Sequence, residues 1–198
     1  MILGIDFDNT IINYENVFRF LAKKKKLIPV NYNKDKNSIR NYLRRKKRED
    51  EWTILQGEVY GKGIMEAEIF EGFKETILLL SKENIKIKII SHKTKYPYLG
   101  EKIDLRVAAK KWMEVNIFRN LSLPNISKRD VFFENSIEDK INKIIELRCD
   151  IFVDDLPEIL DLLPDNIKKV LFTKKINKKY SSKFKILNNW KNFHKLII

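Results

Sequence analysis

Five short apolar runs rich in Ile, Val and Phe limit how this chain can fold: residues 2–5, 85–90, 130–133, 150–153 and 169–172. Each is too short for a helix and is bounded by polar or turn residues, the signature of a strand buried on both faces. Segments with helical spacing separate them. Residues 70–80 repeat Phe73, Ile77 and Leu80, and residues 105–115 place Val107, Trp112 and Val115 near one face. Residues 137–147 repeat Ile137, Ile141, Ile144 and Ile145. Residues 156–163 form a short helix with Pro157 in its first turn, where a missing N–H costs nothing. Strands that alternate with helices predict an α/β fold, a three-layer Rossmann-like sandwich around a five-stranded parallel sheet with right-handed crossovers.

One interval breaks this rhythm. Residues 6–84 separate the first two runs, far more than one crossover helix needs. Residues 12–67 look helical and basic, with turn signals at Ile28-Pro29 and Gly61-Lys62-Gly63. The expected organisation is a core of residues 1–12 and 68–198, with residues 13–67 inserted as a helical cap over the carboxyl edge of the sheet.

With 43% hydrophobic residues among 198, the chain can build one well-cored domain and a modest insertion. No window approaches the ~20 apolar residues of a membrane-spanning helix. Met1-Ile2-Leu3-Gly4-Ile5 lacks a basic lead-in and reads as a strand rather than a signal peptide. The single cysteine, Cys149, precedes Ile151-Phe152-Val153 and is expected to be a buried, inert thiol. These features predict a soluble cytoplasmic protein. The net charge of +13 includes basic runs at residues 23–26 and 44–48. Such runs are usually solvated helix faces, but the field they make also attracts anionic substrates or nucleic acid.

Ligand sites in open parallel sheets form outside the carboxyl ends of the strands. There this sequence places Asp6-Phe7-Asp8-Asn9-Thr10 after the first run, Ser91-His92-Lys93-Thr94 after the second and Asp154-Asp155 after the fourth. Lys140 opens the helix before the fourth strand. Two like charges ~4 Å apart repel by ~4 kcal/mol at an effective dielectric of about 20. A structural role does not justify gathering so many carboxylates, whereas a bound divalent cation does. Hard oxygen donors that leave room for water and phosphate favour Mg²⁺.

Ile5-Asp6-Phe7-Asp8-Asn9-Thr10-Ile11 resembles the first motif of the haloacid-dehalogenase-like (HAD) phosphohydrolases, apolar-Asp-x-Asp-x-Thr. Ser91 after Ile87-Lys88-Ile89-Ile90, then Lys140, then Phe152-Val153-Asp154-Asp155 resemble their second, third and fourth motifs. The match runs through the whole chain in order, with the insertion where the C1 cap class carries it. The resemblance implies that Asp6 attacks phosphorus and becomes an aspartyl-phosphate, and that Asp8 protonates the leaving oxygen and later deprotonates water. It implies Mg²⁺ held by the Asp6 carboxylate, the Asp8 carbonyl and Asp154, with Asp155 ordering a coordinated water. Ser91 would bind phosphoryl oxygens and Lys140 would neutralise charge, with Lys143 and Lys128 as alternative lysines. Thr10 would fix the loop after Asp8, and His92 would touch phosphate or substrate. Dehalogenating members generally lack an acid at the Asp8 position, so Asp8 points to phosphate esters. Asn9 stands where a glycine is common, and Asn tolerates unusual backbone angles.

The expected activity is a Mg²⁺-dependent phosphatase acting on a small phosphorylated metabolite. The alternatives are a polynucleotide 3′-phosphatase, which the positive charge suggests, and a non-catalytic protein that uses its basic cap to hold nucleic acid or a partner. Two segments, 52–61 and 93–102, mix aromatics with glycines and could set specificity. His194 is expected to be structural.

Overall fold

The computed structural model describes residues 1–119, 125–174 and 178–197. In chain order its elements are β1 (Ile2–Ile5), β2 (Ile12–Asn13), α1 (Glu15–Lys24), α2 (Lys36–Arg45), α3 (Glu49–Tyr60), β3 (Glu68–Ile69), α4 (Phe73–Lys82) and β4 (Lys86–His92). They continue as α5 (Leu105–Met113), β5 (Val131–Glu134), α6 (Ile137–Glu146), β6 (Ile151–Asp154), α7 (Pro157–Leu162), β7 (Lys168–Phe172), α8 (Lys178–Ser181), β8 (Lys185–Leu187) and α9 (His194–Ile197). The chain divides into two compact units. One comprises residues 1–12, 69–93 and 118–198, and the other residues 13–68 and 94–117.

The first unit is built on a parallel sheet in the order β5-β4-β1-β6-β7-β8. Strand β1 lies inside it, with Ile5 opposite Ile89 of β4 on one side and Val153 of β6 on the other. The chain leaves β1 first to one side and later to the other, so the topological switch falls at β1, where α/β sheets bind ligands. Helix α6 packs on β4 and β5, and α7 on β6 and β7. Between these helices and the sheet lie Ile90, Ile144, Cys149, Phe152, Leu160 and Leu171. Gly4 is required in β1, because a Cβ there would come within 2.5 Å of the Phe152 ring and 2.9 Å of Cys149 Sγ.

The sheet has six strands rather than the expected five. The extra strand, β8, has three residues, with Ile186 opposite Leu171 of β7. A Lys-Ile-Leu segment is too brief to show periodicity, and its place is set by burial of Leu187 and the preceding Phe184. Helix faces also differ from the simple apolar stripe. In α6 the buried residues are Lys140 and Ile144, while Ile137 and Ile145 are exposed. In α5, Leu105, Ala109, Trp112 and Met113 are buried and Val107 is exposed.

The second unit has its own core, in which Phe18 stacks on Trp52 at 5.2 Å and Tyr14 meets Tyr60 edge-on at 4.9 Å. Asp35 and Asp104 accept backbone N–H groups at the starts of α2 and α5. Gly57 of α3 lies so close to Pro97 that a Cβ would approach it to 2.8 Å, so segments 52–61 and 93–102 meet within this unit. Part of the basic run 44–48 is spent on the turn between α2 and α3. There Arg44 forks onto Glu49 at 2.6 and 2.8 Å, and Arg48 pairs with Glu51. Among the described residues, no helix is long and apolar enough to cross a membrane.

Candidate active site

All the residues of the candidate site belong to the first unit and gather at the carboxyl ends of β1, β4 and β6. Asp6 follows β1 directly, and its N–H donates to the Val153 carbonyl at 2.9 Å, continuing the ladder to β6. The chain then turns. Asn9 takes a left-handed conformation with φ 59°, as an Asn in a glycine position can. Its N–H donates to the Ile12 carbonyl at 3.0 Å, and the N–H groups of Ile11 and Ile12 both donate to the Phe7 carbonyl. Trp190, remote in sequence, donates its indole N–H to the Thr10 carbonyl at 2.9 Å. The loop that carries Asp6, Asp8 and Thr10 is thus pinned by its own backbone and by a buried indole.

Asp6 is 4% exposed and heavily bonded. Its Oδ1 accepts from Ser91 Oγ at 2.9 Å and Lys140 Nζ at 2.6 Å, and its Oδ2 accepts a long bond of 3.4 Å from Thr10 Oγ1. The same Lys140 ammonium donates to Asp154 Oδ2 at 2.6 Å, while Asp154 Oδ1 accepts the Leu156 N–H at 2.9 Å. Lys140 reaches this point because Ser136 caps α6, accepting the Asp139 N–H at 3.0 Å, which sets the first turn facing the sheet. Lys143, one turn further on, pairs instead with Glu146 at the surface at 2.6 Å. Lys128 lies in a short helical turn before β5.

The electrostatics follow from this burial. Desolvation opposes the charge on Lys140, but Asp6 and Asp154 together outweigh it, so the ammonium is held well above its usual range. Asp154 is pushed up to about 7, first by desolvation and then by the Asp6 charge, with Lys140 opposing both. Oxygens of Asp6, Asp154 and Asp155 lie within 4.8 Å of one another. Three carboxylates converge there, and the Lys140 ammonium bonds two of them, Asp6 and Asp154. This hard-oxygen donor set fits a divalent cation of the Mg²⁺ kind.

The structure therefore brings Asp6, Ser91, Lys140, Asp154 and Asp155 to one place, with Thr10 at its edge. His92 turns away: its Nε2 lies 3.1 Å from the Asn135 carbonyl. His194 pairs with Glu83 at 2.6 Å, far along the chain from these residues. Two residues are given no role of their own by the sequence. Trp190 carried no signal there. Lys93 did, because it stands two residues after Ser91 in a strand direction, where the period of two puts both on one face. Its Nζ donates to both Asp8 oxygens, at 2.9 and 2.7 Å, and its side chain is 3% exposed.

The fold is similar to that of solved structures described as HAD-superfamily or haloacid-dehalogenase-like hydrolases. A haloacid-dehalogenase-like family hydrolase from Streptococcus pneumoniae superposes with TM-score 0.64 at 14% identity, over 100% of this chain and 98% of that one. A predicted phosphoglycolate phosphatase from Haemophilus somnus gives 0.56 at 13% identity, over 100% and 97%. A phosphoserine phosphohydrolase-like protein from Francisella tularensis gives 0.51 at 15%, over 99% of each chain. No protein-family model and no curated protein sequence matches the chain.

Proposed function

We propose that the protein is a Mg²⁺-dependent phosphomonoesterase working through an aspartyl-phosphate on Asp6. The observation that carries this reading is the Asp6 carboxylate itself, buried at a strand end, bonded by Ser91 and Lys140, with Asp154 and Asp155 within reach of a shared cation. Solved structures with this fold include a predicted phosphoglycolate phosphatase and a phosphoserine phosphohydrolase-like protein. In the first half-reaction an Asp6 oxygen forms a bond to phosphorus as the ester P–O bond breaks, and the leaving oxygen takes a proton from the Asp8 carboxyl. In the second, water attacks phosphorus, its proton passes to the Asp8 carboxylate, and the Asp6–phosphorus bond breaks to return the carboxylate. Lys140 offsets the charge that Asp6 and the incoming phosphate bring together, and the Ser91 hydroxyl is within reach to donate to a phosphoryl oxygen. Asp6, the Asp8 carbonyl and Asp154 would hold Mg²⁺, with Asp155 ordering a coordinated water, and the ion would supply the positive charge that screens the phosphate.

Residues 13–67 would serve as the cap that restricts the enzyme to small phosphorylated metabolites. A polynucleotide 3′-phosphate is the second reading, favoured by the net charge of +13. The deciding measurement is hydrolysis of an aryl phosphate with and without Mg²⁺, beside Asp6→Asn. The wild type should turn over only with the metal, and Asp6→Asn should lose at least ~10³-fold in kcat, as removal of a covalent nucleophile does. Equal turnover by the two proteins would end the enzymatic reading. Steep loss of turnover with salt on a 3′-phosphorylated oligonucleotide would favour the second substrate class.

A further inference from the structure

Resting on the phosphatase reading above, the geometry assigns Lys93 the role of positioning residue for Asp8, fixing the carboxyl that exchanges protons with the leaving group and with water. Asp8 sits on a loop and is 20% exposed in its side chain, whereas Lys93 is 3% exposed. The buried partner is thus the fixed one and the acid is the one presented to the edge of the sheet. Lys93 is fixed from its root. Its N–H donates to the Glu134 carbonyl at 3.0 Å, extending the β4–β5 ladder one residue beyond β4. The neighbouring His92 ring is tied to the Asn135 carbonyl at 3.1 Å. The lysine stem then brings the ammonium 5.5 Å from the centre of the Phe7 ring and onto both Asp8 oxygens.

A two-oxygen grip of this kind selects one rotamer of Asp8 out of several. It does so from the strand that also carries Ser91, which bonds Asp6. The nucleophile and the acid are thereby referenced to one rigid element, β4, through residues two apart on the same face. Proton transfer contributes ~10²–10⁴-fold only when the acid is held within hydrogen-bond reach of the reacting oxygen. Stability alone is a poor reason to keep this pair. A buried ion pair is commonly no better than apolar residues of the same volume, yet removing one partner strands the other.

The test compares wild type with Lys93→Met on two esters, an alkyl phosphate, whose leaving oxygen needs a proton, and 2,4-dinitrophenyl phosphate, whose leaving group needs none. The expected result is a loss of ~10²-fold in kcat/KM for the alkyl ester and only a few-fold for the dinitrophenyl ester. A burst of dinitrophenolate stoichiometric with enzyme should appear in Lys93→Met, because water attack still requires a placed Asp8. On an Asp8→Asn background, Lys93→Met should cost no more than about twofold, the mark of a residue acting through another. Lys93→Gln, which keeps a donor without the charge, should fall between wild type and Lys93→Met, and serves alone should Lys93→Met not fold. Equal losses on both esters, or additive losses in the double variant, would overturn this role while leaving the phosphatase reading intact. A wild type inert toward both esters in Mg²⁺ would instead defeat the phosphatase reading itself.

Discussion

At the scale of single residues, Asp154 shows how burial prepares a carboxyl for a cation. Its folded value of about 7 is raised from an ordinary 3.8, so between those limits the folded protein keeps a proton that the unfolded chain releases. Stability tied to this carboxyl is therefore greatest below pH 4 and is lost as pH rises toward 7, and a bound cation reverses that loss by taking the proton's place. Mg²⁺ binding followed calorimetrically should be about tenfold weaker at pH 6 than at pH 8. It should release protons, seen as a heat that changes with the ionisation enthalpy of the buffer. Binding that does not change over this range would mean that Asp154 is not a ligand. Cys149 is a contrasting buried acid. Desolvation, with the Asp150 charge adding to it, pushes its thiol up to about 11, which makes it an inert filler under β1 rather than a nucleophile.

Elements differ in how plainly they could be read. Strands β1 and β6 were legible because an apolar run stops at an acid, and α7 because Pro157 opens it. Helix α6 was legible in extent but not in face. Its stripe of isoleucines suggested Ile137 and Ile145 as core, yet both are exposed and Ile144 is buried beside Lys140, the lysine expected at the site, whose burial is tolerable because two carboxylates meet it. Lys93 carried no role of its own in the sequence, since a lysine reads as solvent until its partner, remote in sequence, is known. Strand β8 escaped because three residues carry no period. The cap of α6 now acquires a consequence, because the turn it orders delivers Lys140. Ser136→Ala should cost ~1 kcal/mol, lowering Tm by about 3 °C. Turnover of a phosphate ester, the activity proposed above, should fall by more than that stability loss explains, measured well below Tm. Unchanged turnover would show that α6 holds its lysine without the cap.

Across the whole molecule the dominant quantity is charge, with 40 Lys and Arg against 27 Asp and Glu. Much of it is paired locally at the surface, as between Arg44 and Glu49 or Lys191 and Glu71, and such pairs are screened by salt. What remains is a field that raises the encounter rate with any anion. For a small phosphate ester, kcat/KM should fall several-fold between 20 and 200 mM salt while kcat stays nearly constant, because the field acts on arrival and not on chemistry. A kcat that falls in parallel would place the salt-sensitive step after binding. The order Asp6, Ser91, Lys140, Asp154 was visible along the chain, since three of these four residues stand where apolar strands end. The support behind them was not, because it comes from parts of the chain with no motif of their own.

Trp190 is the clearest case of that support. The indole that holds the Thr10 carbonyl packs on Phe73, Phe172 and Phe193, and its own carbonyl accepts from Thr76 Oγ1. A turn that carries two site aspartates is thus completed by a residue 180 positions further along the chain. Folding of the two segments is thereby coupled: the loop of Asp6 and Asp8 gains its indole anchor only when the segment around Trp190 has packed against Phe73 and Phe172.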